Sequence, residues 1–221
     1  MKGFNNTLMK LKTILIVSAS FLTLQSIGQP AETIKDYFIP VDGKNQTTYF
    51  QKNEYGAKTA FQRTILYVNR NGNYDVLISS YYKLETSTFQ SMTISLSNTD
   101  ARMISSVYIT SGENGTKVEK TYNPASIVLK MPSPGLTEKW DFTNISGEDK
   151  ICTSSWTDII FEGEHRPAIK LVMTSKGYVS SQINYYAKAI GLWKIQFRDA
   201  KGEIYTFCEF DKIDYYSEGE K

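Results

Sequence analysis

The feature that most constrains this chain is a two-residue alternation of apolar and polar side chains within short segments. The alternation runs through residues 74–84 and recurs in residues 92–96 and 103–109. A period of two is that of a β-strand, whose successive side chains point to opposite faces. We therefore expect each segment to bury one face in a core, with Arg102 and Ser106 facing away from it.

Turn-forming residues separate these segments. Asn71-Gly72 predicts a tight hairpin, because both residues tolerate the positive φ angles of such turns. The stretch Pro132–Gly135 contains two prolines, which do not fit a central strand, and it predicts a crossover near the middle of the chain. Gly191 lies inside a strand-like run and predicts a bulge or bend.

These patterns together predict the fold class. No window of about eleven residues shows the 3.6-residue period of an amphipathic helix. Short alternating segments with turn residues between them are typical of all-β proteins. We predict an all-β fold with few or no helices, built as a large curved antiparallel sheet that is half-barrel or sandwich-like.

The N-terminus has the composition of a secretory signal peptide. Lys2, Lys10 and Lys12 precede the apolar run 14–24, and Gly28 supplies a small residue for cleavage. This run is much shorter than the roughly 20 residues that a transmembrane helix needs. We therefore expect residues 1–28 to be removed, the protein to be exported to the periplasm or the extracellular space, and the mature chain to have no transmembrane span.

The rest of the chain divides by composition into three parts. Residues 29–46 predict a leader and a turn before the first strand, residues 47–216 a single β domain, and residues 217–221 a charged tail. The signal carries three lysines and no acid, so 22 basic residues remain against 23 acidic ones. This balance lacks the basic excess of nucleic-acid-binding proteins, and no nucleic-acid partner is expected.

Residue types that usually perform catalysis or bind metals are sparse. His165, the single histidine, lies in a polar stretch that is typical of a surface turn, and with two cysteines it cannot complete a four-ligand zinc site. Two carboxylate pairs, Glu162 with Glu164 and Glu209 with Asp211, keep a glycan-active enzyme as an alternative. We predict no catalytic residue, no metal site and no cofactor.

Cys152 and Cys208 are the only cysteines. In an exported protein an even number of cysteines favours a disulfide, whereas two buried thiols are the alternative. A bridge requires Cα atoms within about 7 Å of each other, which the sequence does not determine. The pair is therefore a disulfide candidate, with both outcomes open.

Aromatic residues are the richest source of candidate ligand contacts. They can pack in the core and across strands, or they can line a groove for an apolar ligand. Where two tyrosines are adjacent in a strand, one ring must point away from the core. The candidate ligand-binding residues are Tyr81, Tyr82, Trp140, Trp156, Tyr185, Tyr186 and Trp193.

Two segments resemble sequence motifs of a protein family. Tyr185–Lys194 resembles Tyr-Tyr-Ala-x-Gly-x-Gly-Leu-x-Lys, which occurs in the closing hairpin of exported Bacteroidetes β proteins similar to LolA-like half-barrel lipoprotein carriers. Asp36–Gly43 is similar to the Tyr-Phe-Pro-Leu-x-x-Gly phrase of the same proteins. Here Ile39 is inserted before Pro40, and Ala189 replaces the first glycine of the later phrase. The resemblance implies a curved sheet with an apolar concave face, and it transfers no catalytic residue.

The functional expectation follows from the apolar strand faces and from the scarcity of residue types that usually perform catalysis or bind metals. We expect an exported, non-enzymatic protein that binds an apolar or amphipathic ligand, such as a lipid, on a curved β-sheet. The alternative is a structural or interaction module of the cell envelope, with exposed aromatic rings that contact a partner protein. A glycan-active enzyme that uses two carboxylates is the third alternative.

Overall fold

The computed structural model describes residues 32–40, 46–54, 57–82, 86–110 and 115–215, with side chains for 32–40, 65–80, 88–110 and 115–210. The predicted signal peptide and tail lie outside these residues. Within them, no helix has the length and apolarity that crossing a membrane requires. The elements are α1 (Ile34–Phe38), β1 (Gln46–Glu54), β2 (Ala57–Arg70), β3 (Asn73–Tyr82), β4 (Thr86–Leu96), β5 (Asp100–Thr110), β6 (Lys117–Lys130), β7 (Glu138–Thr143), β8 (Asp149–Phe161), β9 (Glu164–Ser175), β10 (Ser181–Ala187), β11 (Gly191–Arg198) and β12 (Ile204–Tyr215).

The strands form one antiparallel sheet in the order β6-β5-β4-β3-β2-β1-β12-β11-β10-β9-β8-β7. The first and last strands pair in the middle of the sheet and join two six-stranded halves, β1–β6 and β7–β12. The stretch 131–137 connects the edge strands β6 and β7, so the crossover predicted at Pro132–Gly135 is confirmed. The predicted all-β class, with a curved antiparallel sheet, is likewise confirmed.

The two edges of the sheet meet along a seam that has no backbone ladder among the described residues. The Trp140 Nε1–H of β7 donates a hydrogen bond to the Ile127 carbonyl of β6 at 2.9 Å. The Trp156 Nε1–H donates to the Pro132 carbonyl in the connection at 2.8 Å. Both indoles thus satisfy carbonyls near the sheet edges while their rings stay in apolar surroundings. The seam is held by side-chain hydrogen bonds.

Folding of the sheet brings its two inner faces together around an apolar core. Ile65 and Tyr67 of the first half and Ile169 and Leu171 of the second half are at most 4% exposed. They occupy alternate positions of their strands, as a period of two requires. Full burial of an aliphatic side chain contributes about 1.5–3 kcal/mol, so both halves stabilise the folded sheet.

Helix α1 closes one end of the space between the halves, within the stretch where we expected a leader. The Asp36 carboxylate accepts a hydrogen bond from the Thr33 backbone N–H at 2.7 Å, which caps the start of the helix. Ile34 and Tyr37 are fully buried, and the Tyr37 ring meets Trp156 edge-on at 5.3 Å. A helix of five residues is too short to show a 3.6-residue period, which explains why the pattern missed it.

The two segments with the family resemblance are in direct contact. The Asp36 carbonyl accepts a hydrogen bond from the Ala189 N–H at 2.8 Å. Gly191 has a φ of +77°, and a Cβ at this position would lie 3.1 Å from Pro40 Cδ, so glycine permits the close approach. The bulge predicted near Gly191 lies at Trp193, which the β10–β11 ladder skips.

A bulge in β5 overturns one predicted side-chain direction. The ladder with β4 skips Ile104, and residues beyond a bulge switch to the other face of the sheet. Ser106, which we expected to point away from the core, is therefore 1% exposed and shares the inner face with Met103. Val107 and Ile109, expected to share the face of Met103, are only half-buried.

Candidate ligand-binding cavity

A cavity of about 250 Å³ lies between the two inner faces. We call the side closed by α1 and the turn 188–190 the helix end, and the side formed by the turns 144–148 and 176–180 the loop end. Phe38 lines the cavity toward the helix end, and Asn144 and Ile145 line it toward the loop end. The cavity therefore runs lengthwise between the two halves of the sheet.

Apolar side chains from both halves form most of its wall. Each strand contributes alternate residues, because only every second side chain points inward. Methionines of both halves take part, and their unbranched side chains can adjust to the shape of a ligand. The main apolar contributors are Ile65, Val76, Ile78, Met92 and Met103 from the first half and Leu171, Met173, Leu192 and Ile195 from the second.

A line of polar side chains from β10 crosses this apolar wall. Gln182, Asn184 and Tyr186 occupy alternate positions and all line the cavity. The Gln182 Nε2 donates a hydrogen bond to Asn184 Oδ1 at 2.9 Å, and Asn184 is also hydrogen-bonded to Tyr186. From the first half, Gln90 Nε2 donates to Ser106 Oγ at 3.4 Å. The cavity thus offers amides and hydroxyls at a few defined places.

Burial keeps the tyrosine hydroxyls of the cavity protonated. Burial raises the pKa of Tyr186 to about 12, although the hydrogen bond with Asn184 acts in the opposite direction. Burial also raises the pKa of Tyr67, with a further contribution from the nearby Tyr186. Phe38 stacks on Tyr186 at 5.8 Å and meets Tyr67 edge-on at 6.5 Å. Both hydroxyls are therefore neutral hydrogen-bonding groups.

A groove of about 360 Å³ adjoins the cavity at the loop end. Met173 and Gln182 face each other in the β9–β10 ladder, and both residues line the groove as well as the cavity. The two spaces therefore meet at this pair. Charged and hydroxyl-bearing side chains form most of the rest of the groove, namely Lys150, Ser175, Ser180, Ser181, Arg198 and Asp199.

Of the predicted aromatic candidates with described side chains, only Tyr186 lines the cavity. Trp140 and Trp156 are instead committed to the seam by the hydrogen bonds of their indole N–H groups. Their role is structural, because both rings pack in or against the core and both N–H groups are satisfied within the protein.

The remaining aromatic candidates do not contribute to the cavity. Tyr185 and Trp193 belong to a separate apolar cluster, in which their rings meet edge-on at 6.2 Å. Tyr81 and Tyr82 are the last residues of β3, and their side chains lie outside the described part of the structure. The adjacent tyrosines of β10 thus divide as the alternation predicts, with one ring toward the cavity and one away from it.

Of the two outcomes left open for the cysteines, the structure has the free thiols. Cys152 lies in β8 and Cys208 in β12, and three strands separate them in the sheet. Neighbouring strands are about 4.8 Å apart, so the two Cα atoms lie beyond the roughly 7 Å that a bridge allows. Both side chains are buried, and burial raises the pKa of the Cys152 thiol to about 12. The thiol is therefore protonated and unreactive at neutral pH.

The carboxylate candidates do not form an acid–base pair among the described side chains. Glu162 lies in an exposed turn, and Glu164 pairs with an arginine at 3.4 Å. Glu209 pairs with a lysine at 3.0 Å, and the side chain of Asp211 lies outside the described part. His165 is exposed, and the described residues contain no group of three side chains that could hold a metal ion.

The polar line of β10 escaped the sequence analysis. The apolar residues Ile183 and Tyr185 alternate there with Gln182 and Asn184, and hydrophobicity alone favours burying the apolar set. Ile183 is indeed inaccessible, but it faces away from the cavity, while Asn184 is 6% exposed on the cavity side. The sequence signal that could have pointed to the site is the pair of amide residues, Gln182 and Asn184, at alternate positions of a strand whose other residues are mostly apolar or aromatic.

The chemical capability of the site follows from its lining. Apolar walls with a few amides and neutral hydroxyls can hold a molecule by burial and hydrogen bonds. The adjoining groove adds charged groups at one end.

Comparison with known proteins gives no match to a protein-family model, to a curated protein or to a solved structure.

Proposed function

We propose that this protein is exported and binds a small apolar or amphipathic molecule, without catalysis, in the cavity between the two halves of its sheet. The observation that supports the proposal is the cavity itself, with its apolar walls and its short line of neutral polar groups. Small-molecule sites commonly combine a largely apolar wall with a few placed hydrogen-bonding groups. The folded sheet supplies both.

The cavity volume limits the size of the ligand. An apolar cavity of about 150 Å³ is sufficient to hold benzene. At the same packing, the cavity of about 250 Å³ holds on the order of ten heavy atoms. This volume suits a short alkyl chain or a single substituted ring, and it is too small for the two acyl chains of a membrane lipid.

Titration of the purified protein with 1-octanol tests the proposal. A ligand that binds only the folded state raises the thermal midpoint, and at a hundredfold excess over Kd it stabilises by about 2.7 kcal/mol. We expect a saturable rise in Tm and a matching heat of binding by calorimetry. A Tm that does not change, together with no saturable heat, would remove the support for a ligand cavity.

A pair of matched variants localises the binding. Met92→Phe places a larger side chain into the cavity, whereas Met131→Phe makes the same change at a residue that packs against the core and does not line the cavity. We expect Met92→Phe to weaken octanol binding by about tenfold or more and Met131→Phe to leave it close to wild type. Equal affinities in both variants would place the binding elsewhere.

An interaction module of the cell envelope is a second candidate, favoured by exposed apolar side chains at the loop end. Tyr178 and Val179 are 68% and 75% exposed, and Tyr205 is 55% exposed. Exposed apolar patches mark contact surfaces for partners. Cross-linking in envelope fractions distinguishes the two functions. A partner captured by the wild type and lost in Val179→Ser supports the module, and a protein that stays monomeric argues against it.

A further inference from the structure

We propose that the ligand carries a neutral polar end group, an amide or a hydroxyl, which binds to Gln182 in the cavity, and that the cavity excludes charged end groups. This inference rests on the proposed function and adds the chemistry of the ligand's polar end. The lining carries it, because none of the described residues that line the cavity is an acid, a lysine, an arginine or a histidine. The polar groups of the lining are the amides and hydroxyls of glutamine, asparagine, serine and tyrosine side chains.

A charged end group would lose its water in this cavity without gaining an opposite charge from the described lining. Removing an ion from water is costly unless a counter-ion and hydrogen bonds replace its hydration. A neutral amide or hydroxyl needs only hydrogen bonds, which the amides of the lining can supply. The lining therefore selects a ligand by charge as well as by size.

The described acids and the lysine of the adjoining groove are engaged within the protein. The Lys150 ammonium pairs with Glu148 at 2.8 Å, and the Ser175 hydroxyl donates a hydrogen bond to the same carboxylate. One carboxylate oxygen of Asp199 accepts hydrogen bonds from two backbone N–H groups of its own turn, at 2.9 Å each. An end group that extends from the cavity into the groove therefore competes with partners that are already in place.

Arg198 contributes to the groove, but its side chain points to the other face of the sheet. Gln182 pairs with Phe197 in the β10–β11 ladder, so the next residue along β11 faces away from the cavity. Arg198 interacts there with Tyr185, whose ring belongs to the separate apolar cluster. Its guanidinium is therefore not available to an end group in the cavity.

Lys120 lies beside the cavity, opposite Ser106 in the β5–β6 ladder, but it is not one of the lining residues. Its ammonium donates a hydrogen bond to the Asn144 carbonyl at 2.9 Å and lies 4.8 Å from the centre of the Tyr122 ring. A carbonyl oxygen and an aromatic face both stabilise a cation without a carboxylate. Lys120 therefore needs no anion from a ligand, and its replacement tests the exclusion of charge directly.

Gln182 offers hydrogen-bonding groups on the side of the cavity where the groove begins. Its Nε2 donates to Asn184 Oδ1 at 2.9 Å. A glutamine side chain has two N–H donors and a carbonyl acceptor. The Gln182 side chain has no second hydrogen-bond partner among the described residues, which leaves its carbonyl oxygen and one N–H for a ligand. An amide end group supplies the complementary donor and acceptor, and a hydroxyl supplies both in one atom.

Three ligands with an eight-carbon chain test the inference. Octanamide, octanoate and 1-octanol are titrated into the purified protein by calorimetry at neutral pH. Octanamide and octanoate have the same number of heavy atoms and differ in charge. We expect both neutral ligands to bind more tightly than octanoate, and octanamide by about tenfold or more. Lowering the pH to about 4.5, close to the pKa of a carboxylic acid, should narrow the difference because the protonated acid is neutral.

Two glutamine variants locate the end group. Gln182→Met removes the amide and keeps the length of the side chain, and it should weaken octanamide binding by about threefold to tenfold. Gln196→Met makes the same change on the opposite face of the sheet, at a residue that does not line the cavity, and it should keep the affinity of the wild type. Lys120→Gln should leave the preference for octanamide over octanoate unchanged.

The outcomes separate this inference from the proposed function. If 1-octanol binds in a manner sensitive to Met92→Phe but octanoate binds at least as tightly as octanamide, the cavity stands and the neutral end group is wrong. A preference for octanoate that disappears in Lys120→Gln would assign an anion to Lys120 and overturn the inference in the same way. Equal octanamide affinities in the wild type and Gln182→Met would also overturn it. If none of the three ligands binds, both proposals fail.

Discussion

At the helix end of the molecule, aromatic rings of α1 and of both halves fill the interior, whereas at the loop end the same two faces leave a cavity and a charged groove. The helix end has so little room that a Cβ on Gly191 would lie 3.1 Å from its nearest neighbour. At the loop end, Tyr178 and Val179 are largely exposed.

This contrast is one of packing density within a single sheet. Dense packing at the helix end removes apolar surface from water and stabilises the fold. The side chains that line the cavity at the loop end lack such contacts on one side, because an empty space contains no atoms for them to touch. Under the proposed function, a bound molecule restores those contacts, so changes at the helix end should affect stability and changes at the loop end should affect binding.

The largest effect is expected from truncating the buried ring of the helix. Tyr37→Ala removes a fully buried side chain that contacts Trp156, and it should lower the free energy of unfolding by about 3–5 kcal/mol. Tyr178→Ala, the same change at the loop end, should stay within about 0.5 kcal/mol. Urea unfolding measures both. Similar losses in the two variants would contradict the contrast.

Two glycines with the same backbone conformation give a smaller but sharper comparison. Gly191 and Gly177 have φ angles of +77° and +83°, but only Gly191 has atoms within 4 Å of a built Cβ. Both alanine variants incur about 1–2 kcal/mol for the left-handed conformation. Gly191→Ala should cost roughly 1–3 kcal/mol more, because Pro40 must move. Equal losses in the free energy of unfolding of the two variants would show that the residues around Gly191 can move aside more easily than their packing indicates.

Tyr186, which lies between the helix end and the loop end, makes the free energy of unfolding depend on pH in the alkaline range. The pKa of Tyr186 is about 12 in the folded protein and 10.0 when unperturbed. The unfolded chain loses this proton first, so the contribution is fully present below pH 10 and is lost as the pH rises toward 12. The free energy of unfolding of Tyr186→Phe should fall less steeply over this window. Identical slopes in wild type and variant would assign the pH dependence to other groups.

The smallest effect on stability is expected from adding a reducing agent, because the structure contains no disulfide between Cys152 and Cys208. Both thiols are buried, so neither should react with a thiol reagent in the native protein, and both should react after unfolding. A reducing agent should leave Tm unchanged. Mass spectrometry after alkylation of the unfolded protein counts the reactive thiols, and a count of zero would show that a disulfide is present.

Features with a local cause could be predicted from the sequence. The Asn71-Gly72 hairpin is confirmed by φ angles of 53° and 94°, because these residue types determine the turn without help from the rest of the chain. The prolines of Pro132–Gly135 exclude a central strand in the same local way, and the stretch indeed joins the two edge strands.

Features that depend on partners across the sheet could not be predicted. The bulge at Ile104 exists because of its pairing with β4, and it alone turns Ser106 inward. Gln182 and Asn184 line the cavity because both faces of β10 are covered, which no period in the sequence reveals. The candidate site was therefore missed except for Tyr186, and the distance between the two cysteines followed only from the order of the strands.

Because β1 pairs with β12, an interior position of the sheet stays vacant until the last strand has been synthesised. Hairpins within each half join neighbouring strands and can form in about 1–10 μs. Gln46 and Tyr215, by contrast, must meet across about 170 residues, and such long-range closure slows folding. The β1–β12 pairing is therefore the step that completes the sheet after its hairpins have formed.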